Sequence, residues 1–267
     1  MRKDGRAIAR KNELRVLRAL RRFGWLRTRD IAALIWQRWA AMAPADVPSF
    51  EPPTHTSAGL RMAQRTLRRL FERRQILRGH GPDGCVIYAL AEAGTHALSQ
   101  YGVASATGKD LIRRVSAGYF RHRCISNEVA IGGIVGGFRV SSEREIAQGL
   151  WLGGKDGVCG KKPDVILRNA ATSALWWVEV QRSRMNAPDY KRLLQWLDTA
   201  RSAPFSAVGD EQAPGRLAIS KVVFICTTAF RDRLCRDLKA TGWNPEDIDR
   251  FILFETSLYS FEDITFS

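Results

Sequence analysis

The sequence predicts an α+β protein of two domains, and three observations carry that prediction. A length of 267 residues is long for one domain and comfortable for two. The first third shows helical periodicity followed by a single hairpin pattern, whereas the rest holds five short apolar, strand-like runs among helical segments. The charge is also uneven: residues 1–100 carry 19 basic and 8 acidic side chains, so +11 of the chain's +15 lies there. The expected division is 1–105 and 106–267.

Composition narrows the class. Apolar residues make up 45%, with eight Trp and twelve Phe spread along the chain, which is enough to build packed cores. No apolar run is long enough to span a bilayer, and Met1 to Trp25 is too charged for a signal-peptide apolar region. The five cysteines are scattered and never form a C-x-x-C, so free thiols in a reducing, cytoplasmic compartment are expected, with no membrane partner. A basic N-terminal third suits a polyanion, most often nucleic acid, although the same charge also fits a solvated face or an anionic lipid.

In that third, Asn12 to Phe23 places Leu14, Val16 or Leu17, Leu20 and Phe23 at helical spacing, and Gly24 ends the helix. Thr28 is expected to cap a second helix through Ile31, Leu34 and Ile35. Pro44, Pro48, Pro52 and Pro53 make Met42 to Gly59 a loop. A third helix follows from Leu60 to Gln75, with Leu60, Ala63, Leu67, Leu70 and Phe71 apolar and Arg61, Arg65, Arg68 and Arg69 opposite. Ile76–Arg78 and Cys85–Tyr88 then flank a Gly/Pro/Asp turn, the pattern of a hairpin. Three helices, the third basic, and then a hairpin is the order of a winged helix-turn-helix, in which the third helix enters the major groove of double-stranded DNA. Guanidinium forks suit guanine edges and phosphates equally well, so base readout and phosphate clamping both remain open, as does a protein-contact role for a solvated face.

A long helical segment from Lys109 to Ile134 leads into the second domain. Strands are expected at Phe138–Val140, Pro163–Arg168 and Leu175–Gln181. A helix from Pro188, the strand Val222–Cys226, the helix Arg231–Ala240 and the strand Phe251–Phe254 complete it. The two strands around the turn at Asn169 to Ser173 should pair antiparallel. Within them stand Pro163-Asp164 and, fifteen residues beyond Asp164, Glu179-x-Gln181 in an apolar strand.

That pair of motifs resembles the PD-(D/E)XK signature of restriction-endonuclease-like nucleases, and the element order resembles their α-β-β-β-α-β core. With the winged helix and the Ser-Glu-x-Glu segment at Ser142 to Glu145, the chain resembles the bacterial replication-relaxation family. That family includes conjugative relaxases of the restriction-endonuclease-like (MOBC) class. The resemblance implies a protein of a mobile genetic element that nicks DNA at a specific site using Mg²⁺ or Mn²⁺. Mobilisation or replication proteins, and a second copy of the chain, are the further partners it allows.

The residues have their own reading. Glu179 and Gln181, two apart on a strand, project to one face, and Asp164 at the start of the partner strand can meet them. Two carboxylates, Asp164 and Glu179, with an amide carbonyl form an all-oxygen ligand set suited to a hard divalent cation. Such an ion would polarise a phosphate and lower the pKa of a bound water. Glu143 is the further catalytic candidate that the family's Ser-Glu segment implies, and Lys161 and Lys162 would raise local phosphate affinity. Gln181 departs from the pattern, which has Lys or Glu there. The alternative is therefore a DNA-binding regulator or relaxosome accessory with a degenerate, non-cleaving nuclease fold. Cys159, Cys226, Tyr190 and His122 are weaker candidates, better explained as packing or inert thiols.

Overall fold

The computed structural model describes residues 4–37, 46–113, 115–181, 185–202, 205–206 and 216–259. The protein is mixed α+β with two principal sheets and divides into two compact units, each with its own. The division falls inside a helix, after Ile131, and residues 46–52 group with the second unit.

The first unit opens with α1 (Gly5–Phe23), capped by Asp4, whose carboxylate accepts the Arg6 amide at 2.9 Å. The helix therefore begins about two turns earlier than apolar spacing indicates, because its first turns are exposed and bury no apolar stripe. Gly24 closes it at φ 81°, a conformation that favours glycine. The short strand β1 (Trp25–Arg27) follows, and then α2 (Thr28–Trp36). Thr28 is the first helical residue rather than the cap. Instead, the Asp30 carboxylate reaches back to accept the Arg27 backbone N–H at 2.9 Å. Next come α3 (Ser57–Glu72), capped by Thr56, and the hairpin β2 (Ile76–His80) and β3 (Val86–Leu90). β3 pairs antiparallel with both β2 and β1, giving the sheet order β1-β3-β2. The short helix α4 (Glu92–Ser99) follows.

The expected single helix from Lys109 is two: α5 (Lys109–Arg113) and α6 (Ala117–Val135). The first part of α6 packs within the first unit. Trp25 stacks on Phe120 at 5.3 Å, Arg123 donates to the Phe23 carbonyl at 2.7 Å, and Glu128 accepts from Arg27 at 2.5 Å and Arg29 at 3.0 Å. Arg27, Asp30 and Glu128 are all buried, so each charge is satisfied by another. These side chains explain why the division lies within α6 and not near residue 105.

In the second unit, β4 (Arg139–Ser141), α7 (Glu143–Ala147), β5 (Val165–Arg168) and β6 (Leu175–Gln181) precede α8 (Ala187–Ser202). A two-residue pair, β7 (Phe205–Ser206) with β8 (Arg216–Leu217), leads to β9 (Ile219–Cys226). Then come α9 (Thr228–Ala240), α10 (Pro245–Phe251) and β10 (Ile252–Glu255). The five-stranded sheet runs β10-β9-β6-β5-β4: β5 is antiparallel to both of its neighbours, β4 and β6, whereas β6, β9 and β10 are parallel. One core joins Trp177 and Phe224 of this sheet to Leu193, Trp196 and Leu197 of α8, Phe230 and Leu234 of α9, and Phe251 of α10. β6 is central and buried along almost its whole length, which is why it reads as a continuous apolar run around one acid.

Candidate nucleic-acid interface and carboxylate–lysine site

Two places concentrate chemistry, one in each unit. In the first, α3 buries Ala63, Thr66, Leu67 and Leu70 and exposes Arg61, Arg65 and Arg68 on the opposite arc. None of these three arginines has an ion-pair partner among the described residues, so their forks are turned to solvent. Arg69 sits further round the helix. Its Nε donates to Oε1 of Glu13 on α1 at 2.9 Å, while Arg73 Nη1 donates to Oε2 at 2.9 Å. Of the four arginines named from sequence, the structure thus keeps Arg61, Arg65 and Arg68 together and ties Arg69 to α1. Sequence spacing alone could not show this, because the partner Glu13 lies 56 residues away.

In the second unit the β5–β6 register brings the two acids together. Val165 pairs with Val178, which sets Asp164 beside Glu179 one step on. The Asp164 amide donates to the Val178 carbonyl at 3.0 Å, and Asp164 Oδ2 accepts the Val180 amide at 2.7 Å, so this carboxylate is fixed against β6. Glu179 is almost wholly buried. Its Oε1 accepts the Trp177 indole N–H at 2.6 Å and its Oε2 accepts from Lys161 Nζ at 2.9 Å. Burial pushes the Glu179 pKa up; the Lys161 charge and these two hydrogen bonds pull it down, while the charge of Asp164 adds to the rise. Glu143, at the start of α7 behind the Ser142 cap, is pushed up to about 9, first by burial and then by the nearby charge of Asp164. Gln181 follows two residues beyond Glu179, on the same face of β6, opposite Cys226 of β9.

Lys161 is the residue whose part the sequence understates. Its position beside Asp164 suggests a general phosphate attractor, whereas in the structure it is the direct partner of Glu179. A cage of indoles holds its loop: Trp177 lies 4.6 Å from Trp196 and 5.9 Å from Trp151, Trp196 donates to the Val158 carbonyl at 2.9 Å, and Trp151 to the Gly154 carbonyl at 2.7 Å. Lys161 Nζ stands 5.7 Å from the Trp196 ring centre, and Val158 and Lys161 exchange backbone hydrogen bonds in a bridge. Gly157 makes the turn at φ 80°, and a Cβ there would lie 2.3 Å from the Lys161 carbonyl oxygen. Lys162, next along, is exposed.

The ligand chemistry of Asp164, Glu179 and the Gln181 amide is all oxygen, as a hard divalent cation requires. The arrangement fits such an ion poorly, however. Among the described residues no group of three or more His, Cys, Asp or Glu is placed to hold a metal, and both Glu179 oxygens are engaged by Lys161 and Trp177. The ammonium of Lys161 holds the cationic position beside Glu179.

Of the weaker sequence candidates, Tyr190, Cys226 and His122 fall into packing. The Tyr190 hydroxyl donates to Asp237 at 2.9 Å and its ring meets Phe230 edge-on, while burial and that acid raise its pKa. Burial likewise pushes the Cys226 thiol up to about 12, and Cys159 is exposed. His122 stacks on Tyr119 at 5.2 Å. No helix among the described residues is long and apolar enough to cross a membrane. No protein-family model, curated protein or solved structure matches the chain.

Proposed function

We propose that the chain is a DNA-binding protein whose first unit is a winged helix and whose second unit is a nuclease-type domain that acts on the bound DNA. The observation that carries this reading is the α3 face: Arg61, Arg65 and Arg68, exposed and without ion-pair partners among the described residues, lie opposite a buried apolar stripe. The order helix, strand, helix, helix, hairpin and the antiparallel β1-β3-β2 sheet support a winged helix, with α3 as the recognition helix and the β2–β3 turn as the wing. In the second unit, β4, β5 and β6 antiparallel, then α8 and a parallel β9, support the α-β-β-β-α-β order of restriction-endonuclease-like nucleases.

The chemistry this reading assigns to the chain's own residues is limited and specific. Lys161 and Lys162 hold a backbone phosphate beside the acids, and the Lys161 ammonium offsets negative charge developing on it. Glu143 carries its proton at neutral pH and can donate from its carboxyl group. Asp164, locked by the Val180 amide, orients what binds between them.

One observation favours a second reading. Glu179 is already neutralised by Lys161, and Gln181 supplies neither the ammonium nor the carboxylate of the nuclease pattern, as in a domain that holds DNA without cutting it. Incubation of supercoiled plasmid with the full chain and Mg²⁺ or Mn²⁺, run beside Asp164→Ala, separates the two. Relaxed plasmid with wild type only supports nicking at this site. DNA retention in a gel shift with no relaxation for either protein leaves the regulator reading. Relaxation by both proteins refutes an Asp164-dependent site.

A further inference from the structure

The first unit holds a second basic feature, off the Arg61–Arg65–Arg68 arc. A cavity of about 520 Å³ opens between the N-terminal half of α1 and the C-terminal half of α3. Its floor is kept open by Gly5 and Ala9, one turn apart on α1, and its walls carry Arg6 and Arg10 of α1 with Arg69 and Arg73 from the end of α3. Four arginines therefore line a cavity that holds one carboxylate, that of Glu13, which is 8% exposed, and Arg6 and Arg10 are themselves exposed. Arg69 and Arg73 are already oriented toward an oxyanion, because each donates to one oxygen of Glu13 at 2.9 Å. Arg6 and Arg10 have no ion-pair partner among the described residues. The end of α1 is not itself the anion site, since Asp4 already caps it.

This arrangement is unusual for a structural ion pair. Holding one buried carboxylate needs two arginines at most, and a cavity lined by four arginines and one acid keeps a net positive charge that a further anion would offset. Guanidinium forks bind carboxylate and phosphate through the same charge-assisted, two-pronged geometry. A cavity of this size lies in the range of small-ligand sites.

We propose that this cavity is a phosphate-binding site that takes a backbone phosphodiester of bound nucleic acid, with Glu13 holding Arg69 and Arg73 in readiness until the phosphate arrives. The proposal rests on the nucleic-acid reading above and extends the binding surface from α3 to α1. The shared chemistry, a tetrahedral oxyanion, could equally be a free phosphate ion, and the test separates the two sources.

The test uses the full chain as wild type, the double variant Arg6→Ala/Arg10→Ala, and Glu13→Gln, with urea unfolding to confirm that each folds. Binding of a short fluorescein-labelled duplex is followed across a salt series, and inorganic phosphate is titrated separately with thermal unfolding as readout. The arginine double variant is expected to weaken duplex binding and flatten its log–log salt slope by about two units, one for each arginine withdrawn from a phosphate. Glu13→Gln is expected to tighten duplex binding, because it removes the competing negative charge; a purely structural Glu13 would leave binding unchanged or weaken it. Should Glu13→Gln not fold, the arginine variant alone decides. An unchanged slope in that variant, with wild type binding in a salt-sensitive way, overturns the site and leaves the nucleic-acid reading standing. Absence of salt-sensitive binding by wild type removes the reading and the proposal together. Stabilisation by inorganic phosphate that needs Arg6 and Arg10, with duplex binding indifferent to them, overturns the phosphodiester assignment.

Discussion

The ammonium of Lys161 lies 2.9 Å from Oε2 of Glu179, while the Trp177 indole donates to the other oxygen at 2.6 Å. A buried acid in the central strand of the second unit is thus satisfied on both oxygens by residues 18 and 2 positions away. Removing one partner of such a pair leaves an uncompensated charge, so Lys161→Met should lower unfolding stability by about 1–3 kcal/mol, the range discounted for the lysine's partial exposure. Burial then raises the Glu179 pKa unopposed by the ammonium. The native state holds a proton that the unfolded chain releases, and the deficit widens as pH rises. Urea denaturation of both proteins at several pH values checks it. A variant as stable as wild type at all of them contradicts the pairing.

Glu143 carries a sharper pH signature. Its pKa rises from 4.5 to about 9 in the folded protein, through burial and the charge of Asp164. Between those values the folded state keeps a proton that the unfolded chain has lost, so this group's contribution to stability is full below about 4.5 and falls as pH rises toward about 9. Glu143→Gln removes the titration. The variant should gain stability relative to wild type as pH is raised from acid to alkaline, and a pH-independent difference between the two would contradict the assignment.

Gly157 sets the turn that carries Lys161. Gly157→Ala forces a φ of 80° on a residue with a side chain and places its Cβ 2.3 Å from the Lys161 carbonyl oxygen. A loss of about 1–3 kcal/mol is expected from the strain, read by urea unfolding. Because Trp196 stands beside Lys161 and bonds to Val158, its fluorescence should shift as well.

Much of this architecture is legible in the chain, and the parts that are not have physical causes. The hairpin at Gly81 to Gly84, the antiparallel β5–β6 pair and the placing of Asp164 beside Glu179 follow from turn chemistry and strand alternation. β1 leaves no such trace, because three residues, all buried, show no alternation. α10 is hidden too, although Asn244-Pro245 is a strong start signal, because seven residues give too little periodicity to see. The partnerships of Glu13 with Arg69 and of Lys161 with Glu179 join distant positions, and local spacing carries no sign of such pairs. The same holds for Arg27 with Glu128, 101 residues apart, which draws the first part of α6 into the first unit.

Gln181 offers a gain-of-function test. It follows Glu179 on the same strand face, so Gln181→Lys adds a second ammonium to the site. If the domain nicks DNA, this variant should nick faster than wild type, and Lys161→Ala should nick more slowly. A plasmid-relaxation time course reads both. Identical rates for all three proteins would place the chemistry elsewhere.

Whether α3 presents a nucleic-acid-binding face is decided by the salt dependence of duplex DNA binding by the full chain. The comparison is with the triple variant Arg61→Ala/Arg65→Ala/Arg68→Ala. All three side chains are exposed and have no ion-pair partner among the described residues, so stability should be nearly unchanged. Wild type is expected to bind in a salt-sensitive way, and the variant to show weaker affinity throughout with a log–log slope shallower by up to about three units. The same slope and affinity in both proteins, or no salt-sensitive binding by wild type, would overturn the assignment of α3.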